Sequence, residues 1–229
     1  MLKVIMALAL IASGAAHARA PKAKPEAAPP VAATQAEAPV APSAATLRVA
    51  DWIVASGDNH SLPYAIIEKA TASLFLFAAD GEPLGTAPVL LGIALGDDAT
   101  PGVGSKKLGE IGPAEKTTPA GRFLAKFGLA AGRQKVLWVD YANSVAIHPI
   151  PADASKDERR RERMLSPESD DNRITFGCIN VPKAFYGKLL RPQFRKRGGY
   201  VYVLPDEKPL EAVFPRLRVH APVVEMVSP

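Results

Sequence analysis

The 229 residues of the chain include a single cysteine, Cys178, and four histidines. Cys178 stands in Thr175-Phe176-Gly177-Cys178-Ile179-Asn180-Val181-Pro182, a glycine-containing turn that reads as running straight into a helix after Pro182. At a helix N-terminus a thiol meets partial positive charge and free N–H groups, which favour the nucleophilic thiolate. A lone cysteine is also a common small buried hydrophobe, and both readings stand for Cys178 taken by itself. A cysteine nucleophile needs a base to take its proton and later to return it to a leaving amine, and histidine suits that task near neutral pH. His17 lies in the apolar leader, His60 precedes the first strong strand, and His220 is in the C-terminal tail. His148 closes the apolar run Val145-Ala146-Ile147, where a strand end holds a side chain at a rigid rim. Alone, His148 fits a hydrogen-bonded structural histidine equally well.

Other chemistries find less support. One cysteine permits neither an intramolecular disulfide nor a cysteine-cluster zinc site. Gly102, Gly104 and Gly109 lack the spacing and the strand-to-helix setting of a phosphate cradle. A net charge of +5 arises from 28 basic residues set against 23 acidic ones. The densest basic cluster, Arg159-Arg160-Arg161-Glu162-Arg163, is broken by an acid and has no interleaved aromatics, so it reads as a solvated helix face and not as a nucleic-acid platform. No nucleic-acid partner is expected.

The elements that must position Cys178 and His148 read as mainly β. Short β-prone runs separated by turn residues include 74–77, 89–91, 136–139, 145–147 and 200–204, and Asp80-Gly81 is a hairpin signal. The stretch from Gly96 to Gly121 is a long irregular loop of the kind that often serves function. Two helices are expected. One is a charged, exposed helix over Asp157–Met164. The other follows Pro182, carries Phe185, Tyr186, Leu189 and Leu190 on one face, and ends at Arg191-Pro192.

Upstream, Met1-Leu2-Lys3, the apolar run 4–12 and Ala16-His17-Ala18 match the three regions of a secretory signal, giving a signal peptide over 1–18. An Ala/Pro-rich linker without aromatics is expected over 19–46, the main domain over 47–205, and a tail of unread role over 206–229. No later run is long enough to span a membrane, so an exported chain without a transmembrane span after signal removal is expected, periplasmic or associated with the cell wall. These patterns fix no oligomeric state.

Three segments in this order, Thr117-Thr118-Pro119-Ala120-Gly121-Arg122-Phe123, Ala146-Ile147-His148 and Thr175-Phe176-Gly177-Cys178-Ile179-Asn180, resemble the L,D-transpeptidase (YkuD-type) catalytic family. That family carries a T-P-x-G-x-F segment, a histidine ending a strand, and an S/T-x-G-C-x-R/N motif. The resemblance covers roughly residues 64–204, and the cysteine motif is its specific part. It implies a β-sandwich-like domain whose chemistry needs no cofactor and no metal. It further implies a cysteine that attacks the amide after the third residue of a peptidoglycan tetrapeptide stem, releasing D-alanine and forming a thioester, which an amine of a neighbouring stem then resolves. Peptidoglycan peptide stems are the partners so implied.

Carried over residue by residue, Cys178 is the nucleophile, His148 the general base and acid, and the Pro149 carbonyl the group that orients the histidine. Backbone N–H groups at Gly177 and Cys178 offer an oxyanion hole. Thr175 and Asn180 occupy the flanking polar positions, where they order the loop or contact substrate. Phe176, where many members carry a polar residue, lines the pocket, and Tyr141 is a substrate-contact candidate beside Trp138. Pro149 replaces a frequent glycine. The segment 151–173 between His148 and Cys178 is a charged insertion, expected to act as a lid or to select the acceptor. Two other readings stand beside it: a carboxypeptidase or amidase that uses the same Cys178 and His148 with water resolving the thioester, and a wall-binding module without activity, which has no use for that pair.

Overall fold

The computed structural model describes residues 40–130 and 133–220. The expected signal peptide over 1–18, the linker as far as residue 39, and residues 221–229 of the tail lie outside the described residues.

In chain order the elements are helix α1 (Ala44–Ser56), strands β1 (Tyr64–Glu68), β2 (Ser73–Phe77), β3 (Pro83–Pro88), β4 (Leu91–Gly92), β5 (Gly121–Leu129), β6 (Lys135–Asp140) and β7 (Val145–Pro149), helix α2 (Arg160–Met164), and strands β8 (Arg173–Thr175) and β9 (Ile179–Val181). Helices α3 (Lys183–Phe185) and α4 (Arg191–Phe194), joined by a π turn over Tyr186–Leu190, lead to strand β10 (Gly199–Val203) and helix α5 (Leu210–Val213). The protein is mainly β, as its turn-punctuated runs predict. Eight strands form one sheet in the order β3-β2-β1-β10-β5-β6-β7-β9, and β4 pairs with β8 in a two-stranded ribbon. Within the large sheet β1–β10 and β7–β9 are parallel, and the other neighbours run antiparallel.

Strand alternation explains why both faces of this sheet are covered. Ala65, Ile67, Val201 and Val203 point into one core, shared with Leu137, Ile147, Ile179, Phe185, Leu190 and Phe194. Tyr64, Ile66, Tyr200 and Tyr202 point the other way, into a core closed by Val49, Trp52 and Ile53 of α1 and by Phe214 and Leu217. The neighbouring strands β1 and β10 therefore read as nearly continuous apolar runs.

Several boundaries differ from expectation for local reasons. The linker expected to reach residue 46 stops earlier, because Ser43 caps α1 by accepting from Thr46 N at 3.2 Å, and Thr46 itself is fully buried. The tail expected from 206 is part of the fold: Asp97 accepts the N–H groups of Asp206, Glu207 and Lys208, and the following residues bring Phe214 and Leu217 into the core. The helix after Pro182 does not end at Arg191-Pro192. A π turn precedes it, and Pro192 falls in the first turn of α4, where a missing N–H costs least. Leu189, expected on the buried face of that helix, is 38% exposed. The charged helix expected over 157–164 breaks at Arg159, whose φ of 48° separates a short 3-10 turn from α2.

The long loop 96–121 is held from below. Lys69, 1% exposed, donates to the carbonyls of Gly96 and Thr118 and to Asp97, and it also pairs with Asp206. Arg173 closes the set on Asp206 at 2.7 Å.

Candidate active site

Strand β7 ends on His148-Pro149, and its parallel neighbour β9 begins one residue after Cys178. The register sets Ile147 opposite Ile179 and His148 opposite Asn180. Cys178 thus enters the sheet two residues before the partner of His148, with the same side-chain parity, so the backbone brings the two sequence-predicted groups to one corner. His148 Nδ1 lies 2.8 Å from the carbonyl oxygen of its neighbour Pro149. A carbonyl only accepts, so this contact puts the ring proton on Nδ1 and leaves the lone pair on Nε2.

The turn before Cys178 is fastened from two sides. Thr175 Oγ1 donates to the Cys178 carbonyl at 2.5 Å and accepts from Gly177 N at 3.2 Å. Thr118 Oγ1 accepts from Gly92 N and donates to the Gly177 carbonyl, both at 2.9 Å. Gly177 has φ 118°, and a Cβ there would stand 2.6 Å from the Thr117 carbonyl oxygen, so only glycine fits. The Thr-Thr-Pro segment and the cysteine segment, distant in sequence, therefore form one hydrogen-bonded unit.

Three expectations are corrected at this point. Cys178 does not sit at a helix N-terminus, because β9 intervenes and α3 starts only at Lys183. No helix dipole favours its thiolate; burial pushes the thiol up, with a backbone contact at Ala146 and the Arg160 cation opposing. The thiol donates instead to the Ser144 carbonyl at 3.5 Å. The Gly177 N–H, expected in an oxyanion hole, is already bonded to Thr175 Oγ1. Asn180, expected to contact substrate, is fully buried, and its backbone N–H and carbonyl both bond Leu90.

His148 is driven in the opposite direction from the thiol. Burial lowers its pKa and the Arg160 charge adds to that, while the bond to the Pro149 carbonyl opposes it. Both directions favour the uncharged form, imidazole at His148 and thiol at Cys178.

Phe176 is half-buried, and the ammonium of Lys116 lies 3.8 Å from its ring centroid. Tyr141 is 76% exposed and packs edge-on against Trp138 at 5.1 Å. It shares the β6–β7 turn with Ser144, a turn ordered by Asp140 accepting from Asn143 and by Ser144 Oγ donating to the Gly104 carbonyl.

Sequence reasoning missed Arg160 and Lys116. Arg160, expected on a solvated face, has a side chain only 12% exposed and donates to Glu158 and Asn180. Four arginines within five residues give no sign that Arg160 and Arg163 turn partly inward. The insertion is also anchored elsewhere, through buried Met164 and through Asn172, which donates to the Val89 carbonyl at 2.8 Å. Among the described residues no cluster of three or more His, Cys, Asp or Glu side chains stands ready for a metal ion, and no helix is long and apolar enough to cross a membrane.

No family model matches the chain, and no curated protein is matched by its sequence. Solved structures with a similar fold include the catalytic domain of an Enterococcus faecium L,D-transpeptidase, 15% identical, covering 62% of this chain and 96% of that one, with a TM-score of 0.38. An L,D-transpeptidase from Mycobacterium smegmatis is 14% identical, covers 62% of this chain and 58% of its own, and has a TM-score of 0.35. The helical cell shape determining protein Pgp2 from Campylobacter jejuni is 16% identical, covers 69% of this chain and 56% of its own, and has a TM-score of 0.42. The chain thus spans little more than half the length of the latter two.

Proposed function

We propose that the chain is a cysteine acyltransferase of the L,D-transpeptidase type, acting outside the inner membrane on peptidoglycan tetrapeptide stems. The observation that carries the reading is the orientation of His148. Its Nδ1 is committed to the Pro149 carbonyl at 2.8 Å, which frees Nε2 as a base on the strand beside the lone thiol. The ordered segments 117–123, 146–148 and 175–180 add support through their resemblance to that family's motifs.

In this account the resting thiol is neutral. As Sγ of Cys178 attacks the amide carbonyl after the third stem residue, its proton passes to Nε2 of His148. The carbonyl oxygen becomes an oxyanion, and the Cys178 N–H is the donor the turn offers it, since Gly177 N–H serves Thr175. Collapse breaks the C–N bond. The imidazolium returns its proton to the departing amine of D-alanine, leaving a thioester on Cys178. An acceptor amine then attacks the thioester carbon, His148 takes the proton released, and Cys178 leaves as the thiol. Tyr141 and Phe176 flank the donor stem, and Asn180 backs the imidazole from within.

The deciding assay incubates the protein with purified disaccharide-tetrapeptides and separates the products by mass. Free D-alanine together with cross-linked dimers is expected. Release of D-alanine without dimers moves the acceptor to water, and no release from folded protein defeats the acyltransferase reading.

A further inference from the structure

The inserted segment delivers one side chain to the centre of the site. Arg160 opens α2, and its Nε and Nη2 donate to the two carboxylate oxygens of Glu158 at 2.7 and 3.3 Å. Nη1 donates to Oδ1 of Asn180 at 2.8 Å. A guanidinium held at both ends cannot turn to solvent without leaving the fully buried amide of Asn180 unpaired.

The consequence reaches the imidazole. With Oδ1 facing Arg160, the Asn180 amide nitrogen faces His148 Nδ1 at 3.5 Å. Nδ1 carries the proton donated to Pro149, so two donors meet there and the amide cannot draw that proton away. If Asn180 turned over, its Oδ1 would compete with the Pro149 carbonyl for the same proton and would re-aim the ring. Arg160 decides which end of the amide His148 meets.

Arg160 also sets the local charge. On β7 the titratable group beside it is His148, on the segment entering β9 it is Cys178, and on its own segment Glu158 partly offsets it. Its cation lowers the pKa of both reacting groups, adding to burial at His148 and opposing burial at Cys178.

We propose that Arg160 is a positioning residue for the Cys178 and His148 pair, through which the 151–173 segment fixes the Asn180 amide behind the imidazole and keeps a positive charge beside the thiol. The insertion is then a built-in wall of the site and not a lid. This rests on the reading of Cys178 and His148 as the reacting pair.

The test measures alkylation of Cys178 by iodoacetamide against pH, together with kcat, KM and thermal melting, in full-length wild type, Arg160→Gln, Arg160→Lys and Glu158→Gln. Arg160→Gln keeps a donor and loses the charge. It is expected to move the alkylation inflection to higher pH, to slow alkylation at pH 7 by about tenfold, and to lower kcat by about as much with KM within about twofold. Arg160→Lys restores most of the alkylation rate. Glu158→Gln, which frees the cation of its counter-charge, moves the inflection to lower pH and carries the test if Arg160→Gln does not fold. A folded Arg160→Gln protein with the wild-type alkylation profile overturns the proposal, as does an unmoved inflection in Glu158→Gln. Alkylation needs no substrate, so its outcome is separate from the acyltransferase reading, which falls if folded wild type releases no D-alanine or if Cys178→Ala still turns over.

Discussion

The imidazole of His148 and the carbonyl of Pro149 meet at 2.8 Å through Nδ1, although the two residues are neighbours in sequence. Since a carbonyl cannot donate, the contact selects one tautomer and one ring orientation without help from a carboxylate. A carboxylate in that place would stabilise the imidazolium strongly. A neutral carbonyl does so weakly, and burial together with Arg160 keeps the ring below the usual histidine range.

The first prediction follows from these opposed shifts. A thiolate–imidazolium pair would alkylate readily well below neutral pH, whereas the raised thiol of Cys178 is expected to titrate above the free cysteine range. In the proposed mechanism turnover uses neutral His148, so its acid limb is expected below the ordinary histidine pKa. Alkylation and kcat/KM measured across pH 4–10 would check both directions. An alkylation inflection below neutral would contradict the neutral-pair reading.

Thr118→Val removes the hydroxyl that bridges Gly92 N and the Gly177 carbonyl. Two buried backbone groups then lose their partner, at a cost of about 1–3 kcal/mol. The turn carrying Cys178 loosens, and kcat should fall more than KM rises. Chemical denaturation and steady-state kinetics on the one variant report both effects.

Asp97 anchors the long loop to the C-terminal segment. Burial pushes its carboxyl up, but the N–H groups of Lys208 and Asp206, the Lys69 ammonium and the Glu207 N–H outweigh this and bring it down to about 2. A carboxyl whose folded pKa lies below its unfolded one contributes stability above the unfolded value, near 3.8, and loses it as pH falls toward 2. Asp97→Asn should therefore cost about 2–4 kcal/mol at pH 7, because it removes one of the two counter-charges of buried Lys69 and leaves only Asp206, and the difference from wild type should narrow below pH 4. Urea unfolding at several pH values measures it.

Tyr141 is exposed, and its ring touches Trp138 only by its edge. Tyr141→Ala should leave stability within about 0.5 kcal/mol of wild type while raising KM for the donor stem severalfold. An unchanged KM removes Tyr141 from the substrate surface.

The fold class was legible in turn-punctuated runs such as 200–204, a continuous apolar run because the alternate side chains of β10 enter two different cores, whereas the comparable run of β1 was not among those read. Cys178 and His148 were legible as a rare residue type and a strand terminus, and register pairing brings them together. The setting of Cys178 was misread, because Ile179-Asn180-Val181 is too short a run to announce a strand before Pro182. Arg160 was hidden by its neighbours: composition reports four arginines, of which Arg160 and Arg163 turn partly inward after the break at Arg159, φ 48°. The tail was hidden because Asp97, which captures its N–H groups, lies more than a hundred residues upstream.

The most direct test of the account is intact-mass analysis of the full chain mixed with a tetrapeptide stem, for wild type, Cys178→Ala and His148→Ala. The account predicts a covalent adduct equal to the stem less D-alanine on wild type and none on Cys178→Ala. On His148→Ala it predicts adduct formation slowed by about 10²–10⁴. D-alanine release that persists undiminished in folded Cys178→Ala would contradict it.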